Sequence, residues 1–261
     1  EVETIHERHD TLFGGKLPAP NAATLRSLQN YVTDRYCDIG IATDGDADRI
    51  GVIDDRGHFL HPNDILVLLY YYLVKYKKWT GAAVRNVATT HMLDRVAESF
   101  DQECYEVPVG FKHISSKMQE TDALIGGLTV RGHINGKDGI YAASLLVEMI
   151  AVTGKHLSEL MDEIREEYGA IYMEERDYKF TPERKAEIHK ILMEDKLLPR
   201  LPYAIDKVSY LDGCKVYFRD GGWIIARFSG TEPLLRIFCE RESREEAVGL
   251  CKIFEDYLEL T

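Results

Sequence analysis

Asp38-Ile39-Gly40-Ile41-Ala42-Thr43-Asp44-Gly45-Asp46-Ala47-Asp48-Arg49-Ile50-Gly51-Val52-Ile53-Asp54 places three carboxylates at alternate positions, then an arginine, between two short apolar runs. Acids this close repel one another unless a cation neutralises them, so the spacing asks for a divalent metal held by Asp44, Asp46 and Asp48. Arg49 beside them asks for an anion. A metal and a guanidinium sharing one phosphoryl group would spread the charge of a transferring phosphate, so the segment points to phosphoryl chemistry. Three other readings fit parts of the pattern. Asp-Gly pairs form plain solvated hairpins. An EF-hand loop also begins with Asp at its first, third and fifth places. Its sixth and twelfth places, however, hold Arg49 and Asp55 here rather than Gly and Glu, and the flanks are strand-like rather than helical. An Asp-x-Asp phosphatase nucleophile at a strand end stays compatible with the motif.

A second constellation lies near the C-terminus. Residues 223–228 read as a strand that runs into Ser229-Gly230-Thr231-Glu232-Pro233 before another strand at 234–239. A Ser-Gly-Thr turn offers two hydroxyls and exposed backbone N–H groups in one concavity, and Arg227 at its mouth supplies a two-pronged donor for phosphate oxygens. The same residues also make an ordinary hairpin.

Working outward, strand-like and helix-like stretches alternate. Helices are expected at 21–31, at 64–76 opened by Asn63, at 91–100, at 138–152, and at 157–168 closed by Gly169; strands are expected at 82–87 and 104–107. The alternation means layered α/β structure with mixed or parallel pairing. After the Thr181-Pro182 start signal comes a helix to about 193, then three strands parted by Asp212-Gly213 and Asp220-Gly221-Gly222. A last helix opened by Ser243 to Glu246 carries Ala247, Leu250, Cys251, Phe254 and Leu258 as one stripe. This tail is a smaller α+β domain. The divisions expected are 1–58, a remnant of one α/β domain ending in the aspartate loop proposed to hold the metal, then a second α/β domain at 59–170 and the α+β domain carrying the Ser-Gly-Thr phosphate clamp at 171–261.

Composition narrows the class. At 261 residues with 45% apolar content the chain can bury more than one core. A formal charge of −12 with no basic stripe argues against a nucleic-acid partner. No run of eighteen apolar residues and no charged-then-apolar leader occurs, so neither a membrane partner nor secretion is indicated and a cytoplasmic enzyme is expected. The five cysteines are scattered without a Cys-x-x-Cys pair, which indicates neither a disulfide frame nor a zinc site. Oligomeric state is not legible.

Four motifs in order, Asp44-Gly-Asp-Ala-Asp-Arg49, Val109-Gly-Phe-Lys112, Arg131-Gly-His-Ile-Asn-Gly-Lys-Asp-Gly139 and Arg227-Phe-Ser-Gly-Thr-Glu-Pro233, resemble those of the alpha-D-phosphohexomutases, the family of phosphoglucomutases and phosphomannomutases. The likeness covers nearly the whole chain. It implies magnesium on Asp44, Asp46 and Asp48, with Arg49 beside the ion and Lys112 reaching into the active site. It also implies a grip on the substrate's distal phosphate by Arg227, Ser229, Gly230 and Thr231, to which Arg236 on the next strand is added. His113, His133 and Lys137 sit beside these motifs and are candidate substrate contacts. The reaction implied moves a phosphate between C1 and C6 of a hexose, glucose first and mannose second, through a hexose 1,6-bisphosphate. Two departures stand out. The family's phosphoserine donor belongs to a preceding domain and no serine here matches it, so the chain reads as a fragment inactive alone. The family's Glu-Glu-Ser-Gly type sugar loop is missing at 123–131. A sugar-phosphate-binding protein without catalysis and a metal-dependent phosphatase are the alternatives.

Overall fold

The computed structural model describes residues 1–15, 17–230 and 232–260. Three sheets are strung along the chain. The first unit is α1 (Arg26–Arg35) followed by an antiparallel meander of β1 (Gly40–Thr43), β2 (Ile50–Ile53) and β3 (Phe59–Leu60). α1 lies close on the sheet because Gly40 has no side chain: a Cβ there would stand 2.6 Å from Val32 Cγ2. The aspartate motif is therefore the β1–β2 connection.

The middle unit opens with α2 (Pro62–Tyr71), capped by the His61 side chain, with Pro62 in the first turn where a missing N–H costs nothing. Seven consecutive residues, Ile65 to Tyr71, are buried, as expected of a helix apolar all round. It continues through a π turn, Tyr72–Tyr76. β4 (Ala83–Asn86), α3 (Met92–Ser99), β5 (Cys104–Val107), α4 (Phe111–Thr121), β6 (Ile125–Gly126) and β7 (Thr129–Val130) follow. β4 pairs in parallel with β5 and β6, and β7 adds an antiparallel edge, giving the order β5-β4-β6-β7. α5 (Gly139–Thr153) and α6 (Leu157–Tyr168) complete the unit. Its core joins α2, α3, α5 and α6 to Ile50 and Val52 of β2, so the first sheet and the middle unit share one apolar interior.

The C-terminal unit is a five-stranded antiparallel sheet in the order β8-β12-β11-β10-β9, built from β8 (Tyr172–Lys179), β9 (Ile205–Ser209), β10 (Cys214–Phe218), β11 (Trp223–Phe228) and β12 (Leu234–Arg241). α7 (Pro182–His189) and α8 (Arg244–Tyr257) accompany it. The stripe Ala247, Leu250, Cys251, Phe254 and Leu258 is buried against Ile224, Ala226, Leu235, Ile237 and Cys239. Residues of the other sheet face, Tyr217, Trp223 and Ile225, meet Val87 and Val109 of the middle unit. Among the described residues no single helix is long and apolar enough to cross a membrane.

Some elements differ from expectation. α1 starts five residues later than 21, because Asn21 uses its side chain to accept from the N–H groups of Ala23 and Thr24 in a turn. β8 and α4 were not expected as elements. At 123–131 the chain makes a tight hairpin whose turn residues Gly127 and Leu128 both have positive φ, 54° and 69°.

Candidate active site

The β1–β2 loop is shaped by its own hydrogen bonds. Asp44 Oδ1 accepts the Arg49 N–H at 3.2 Å, and Arg49 Nε donates to Asp44 Oδ2 at 2.6 Å. Ala47 takes a left-handed φ of 56° to close the loop. Asp44, Asp46 and Asp48 each bring a carboxylate oxygen within 4.8 Å of the others. Asp44 is buried and Asp46 exposed. Burial pushes the Asp44 carboxyl up, but the hydrogen bonds and charge of Arg49 outweigh it and hold the group below its ordinary value. Three hard oxygen donors with no sulfur or imidazole suit a hard divalent cation.

The segment before α5 is fastened to this loop. The Gly139 N–H donates to the Ala47 carbonyl at 2.9 Å. A Cβ on Gly139 would stand 2.5 Å from Ile50 Cγ2, so only glycine allows this approach. Lys137 Nζ donates to Asp48. Asp138 caps α5 by accepting the Tyr141 N–H at 2.9 Å, and its other oxygen lies 2.8 Å from His133 Nε2. The His133 ring stacks on Tyr141 with centroids 3.9 Å apart. The Tyr141 N–H, then His133, hold the Asp138 carboxyl below its usual value.

The second cluster is on the C-terminal sheet. Arg227 of β11 stands directly opposite Arg236 of β12. Like charges in that relation repel and call for anions. Arg227, with a side chain 11% exposed, has Asp212 at 3.3 Å; Arg236 donates to Glu232 at 2.8 Å and has Asp177 at 3.7 Å. The Nε groups of both arginines are buried without a hydrogen-bond partner among the described residues. Ser229 Oγ accepts the Glu232 N–H at 3.2 Å, Gly230 is exposed, and Thr231 lies outside the described residues.

Lys112 and His113 fall in the first turn of α4, and both are exposed. Lys112 pairs with no carboxylate among the described residues. The candidates thus divide into two groups. Asp44, Asp46, Asp48, Arg49 and Lys137 come together, with His133 behind Asp138. Arg227, Arg236, Ser229 and Gly230 form the other group, joined to the α4 turn by Asp212, whose Oδ2 accepts the Val109 N–H at 2.8 Å. Asp212 and Asp138 were not among the expected site residues. Asp212 was visible only as half of an Asp-Gly turn signal.

The chain matches phosphoglucomutase/phosphomannomutase alpha/beta/alpha domain II at residues 1–57, alpha/beta/alpha domain III at 61–168 and the C-terminal domain at 179–256. It is 31% identical to the phosphoglucomutase/phosphomannomutase of Thermococcus kodakarensis over 100% of this chain and 54% of that protein. It is also 31% identical to a Methanopyrus kandleri protein named for phosphoglucosamine mutase, over 98% of this chain and 55% of the relative. The chain therefore spans about half the length of the curated relatives it matches. A crystal structure of the phosphomannomutase class from Thermus thermophilus superposes with a TM-score of 0.77 at 29% identity, over 95% of this chain and 52% of that one.

Proposed function

The chain belongs to the phosphoglucomutase/phosphomannomutase family, and on that footing we propose that it supplies the metal loop and the phosphate clamp of a magnesium-dependent phosphohexomutase. The substrate pair is a hexose 1-phosphate and its 6-phosphate, glucose first and mannose second, exchanged through a hexose 1,6-bisphosphate. The observation that carries this reading is the set of three carboxylate oxygens within 4.8 Å beside an arginine. Asp44, Asp46 and Asp48 would hold magnesium, which when bound polarises a phosphoryl oxygen and offsets its charge.

Arg49 spends Nε on Asp44, which leaves its Nη groups for phosphoryl oxygens. Lys137, held on Asp48, and Lys112, exposed in the first turn of α4, bring further positive charge to substrate oxygens. The Asp138 carboxylate fixes the His133 ring, so that one ring nitrogen is committed and the other is free to hold or pass a proton. Arg227 and Arg236 grip the phosphate that is not transferred, together with Ser229, Gly230 and Thr231. Binding energy from that remote phosphate orients the reacting end. His113 follows Lys112 in the α4 turn and is placed as a second sugar contact. The three lobes, 1–58, 59–170 and 171–261, each supply one wall of the cleft in this reading.

The test is an assay of the intact protein with magnesium, glucose 1-phosphate and a trace of glucose 1,6-bisphosphate, following isomer formation against free phosphate. Isomer without phosphate release supports the mutase. Stoichiometric phosphate release with no isomer would replace it with a phosphatase.

A further inference from the structure

We infer that Asp212 is a positioning residue for the phosphate clamp, tying the guanidinium of Arg227 to the backbone that carries Lys112. The inference rests on the reading of Arg227 as a phosphate ligand. Three observations carry it. Asp212 Oδ2 accepts the Val109 N–H at 2.8 Å and stands 3.3 Å from Arg227 Nη2, so one carboxylate oxygen touches both the C-terminal sheet and the chain just before α4. Asp212 is the only carboxylate paired with Arg227 among the described residues, and the arginine's Nε is buried without a partner. The next residue, Gly213, has a φ of +101°, and a Cβ there would stand 2.6 Å from Arg227 Cβ and 2.7 Å from the Ala226 carbonyl. The 212–213 turn is therefore seated directly on the backbone of Arg227, which only glycine permits.

The chemistry follows from these contacts. A long, flexible cation that is nearly buried loses rotamer freedom only if something orients it, and a carboxylate does so with a charge-assisted contact. Val109 also lies in the apolar patch with Tyr217, Trp223 and Ile225, so the acceptor of its N–H is held at a fixed seam between the two units. Moving Asp212 would release the clamp arginine and loosen the α4 turn together. The same carboxylate thus sets the distance between the cation that grips one phosphate and the lysine offered to the rest of the substrate.

A double-mutant cycle on the intact protein tests this, reading the affinity for glucose 1,6-bisphosphate by calorimetry. Arg227→Ala alone should weaken binding by about tenfold or more, the loss of one charge-assisted hydrogen-bond donor. Asp212→Ala should weaken binding by about tenfold in the native background and clearly less in the Arg227→Ala background, where only its hold on the Val109 N–H is left to lose. Asp212→Asn, which can still accept from Val109, should keep that amide slow in hydrogen exchange while Asp212→Ala exposes it. Equal effects of Asp212→Ala with and without Arg227 would overturn the positioning role. No effect of Arg227→Ala itself would instead remove the clamp on which the role depends.

Discussion

Lys215 of the C-terminal sheet, 1% exposed, donates to Glu106 of the middle unit at 2.7 Å. Arg85 reaches the same carboxylate at 2.5 Å, and the Tyr217 hydroxyl donates to its other oxygen. The ammonium also lies 4.2 Å from the Trp223 ring centroid. The two units are thus joined by a buried charge network rather than by apolar contact alone.

Removing the anion should be severe. Glu106→Gln leaves Lys215 buried without its counter-ion, and a broken buried pair costs about 3–5 kcal/mol. Lys215→Met leaves Glu106 paired with Arg85 and should cost less. Urea denaturation of both variants checks the order; equal or reversed losses would show that the network does not hold the seam.

The same carboxylate predicts acid sensitivity. Burial raises the Glu106 pKa, but hydrogen bonds and charge from His91, Lys215 and Arg85 outweigh it and set it well below its ordinary 4.5. A carboxyl depressed in the folded state contributes stability that is complete above 4.5 and is lost as pH falls towards the folded value. The stability gap between the native protein and Glu106→Gln should therefore narrow below that pH. A constant gap from pH 7 to pH 3 would contradict the assignment.

Much of this was legible in the chain and some was not. The strand at 104–107 and the helix at 157–168 end where the residues indicate, because turn and cap residues bound them. α2 begins at Pro62 rather than after Asn63, since the His61 ring takes the capping role. β8 escaped notice because Tyr172–Lys179 alternates little and carries Glu174, Glu175, Arg176 and Asp177 in a row. α4 escaped because Ser115, Ser116 and Thr121 are weak helix formers. Within the site, the aspartates and the arginine turn were readable as local patterns. The bond from Lys137 to Asp48 spans 89 residues, and no local pattern reports a contact of that range.

Gly139 is a position where one methyl group should matter. Gly139→Ala would place a Cβ 2.9 Å from the Ala47 carbonyl and 3.0 Å from that of Arg49, pressing on the β1–β2 loop. A loss of about 1–3 kcal/mol is expected from such overpacking, with weaker magnesium binding. An unchanged melting temperature and unchanged magnesium affinity would show that α5 does not brace the loop.

The opposed arginines predict a trade between stability and binding. Arg236→Ala relieves repulsion across the β11–β12 pair, so stability should hold or rise by about 0.2–1 kcal/mol. Affinity for glucose 1,6-bisphosphate should fall by about tenfold. Loss of stability with intact binding would reverse the assignment.

The measurement closest to the central claim is a calorimetric magnesium titration of the native protein and of Asp46→Asn. Asp46 is the exposed member of the three and makes no ion pair among the described residues, so its replacement leaves the loop's own bonds to Arg49 and Lys137 in place. One magnesium per chain is expected in the native protein and an affinity about tenfold weaker or more in the variant, at an unchanged melting temperature. Equal magnesium affinity in both proteins would contradict the metal assignment.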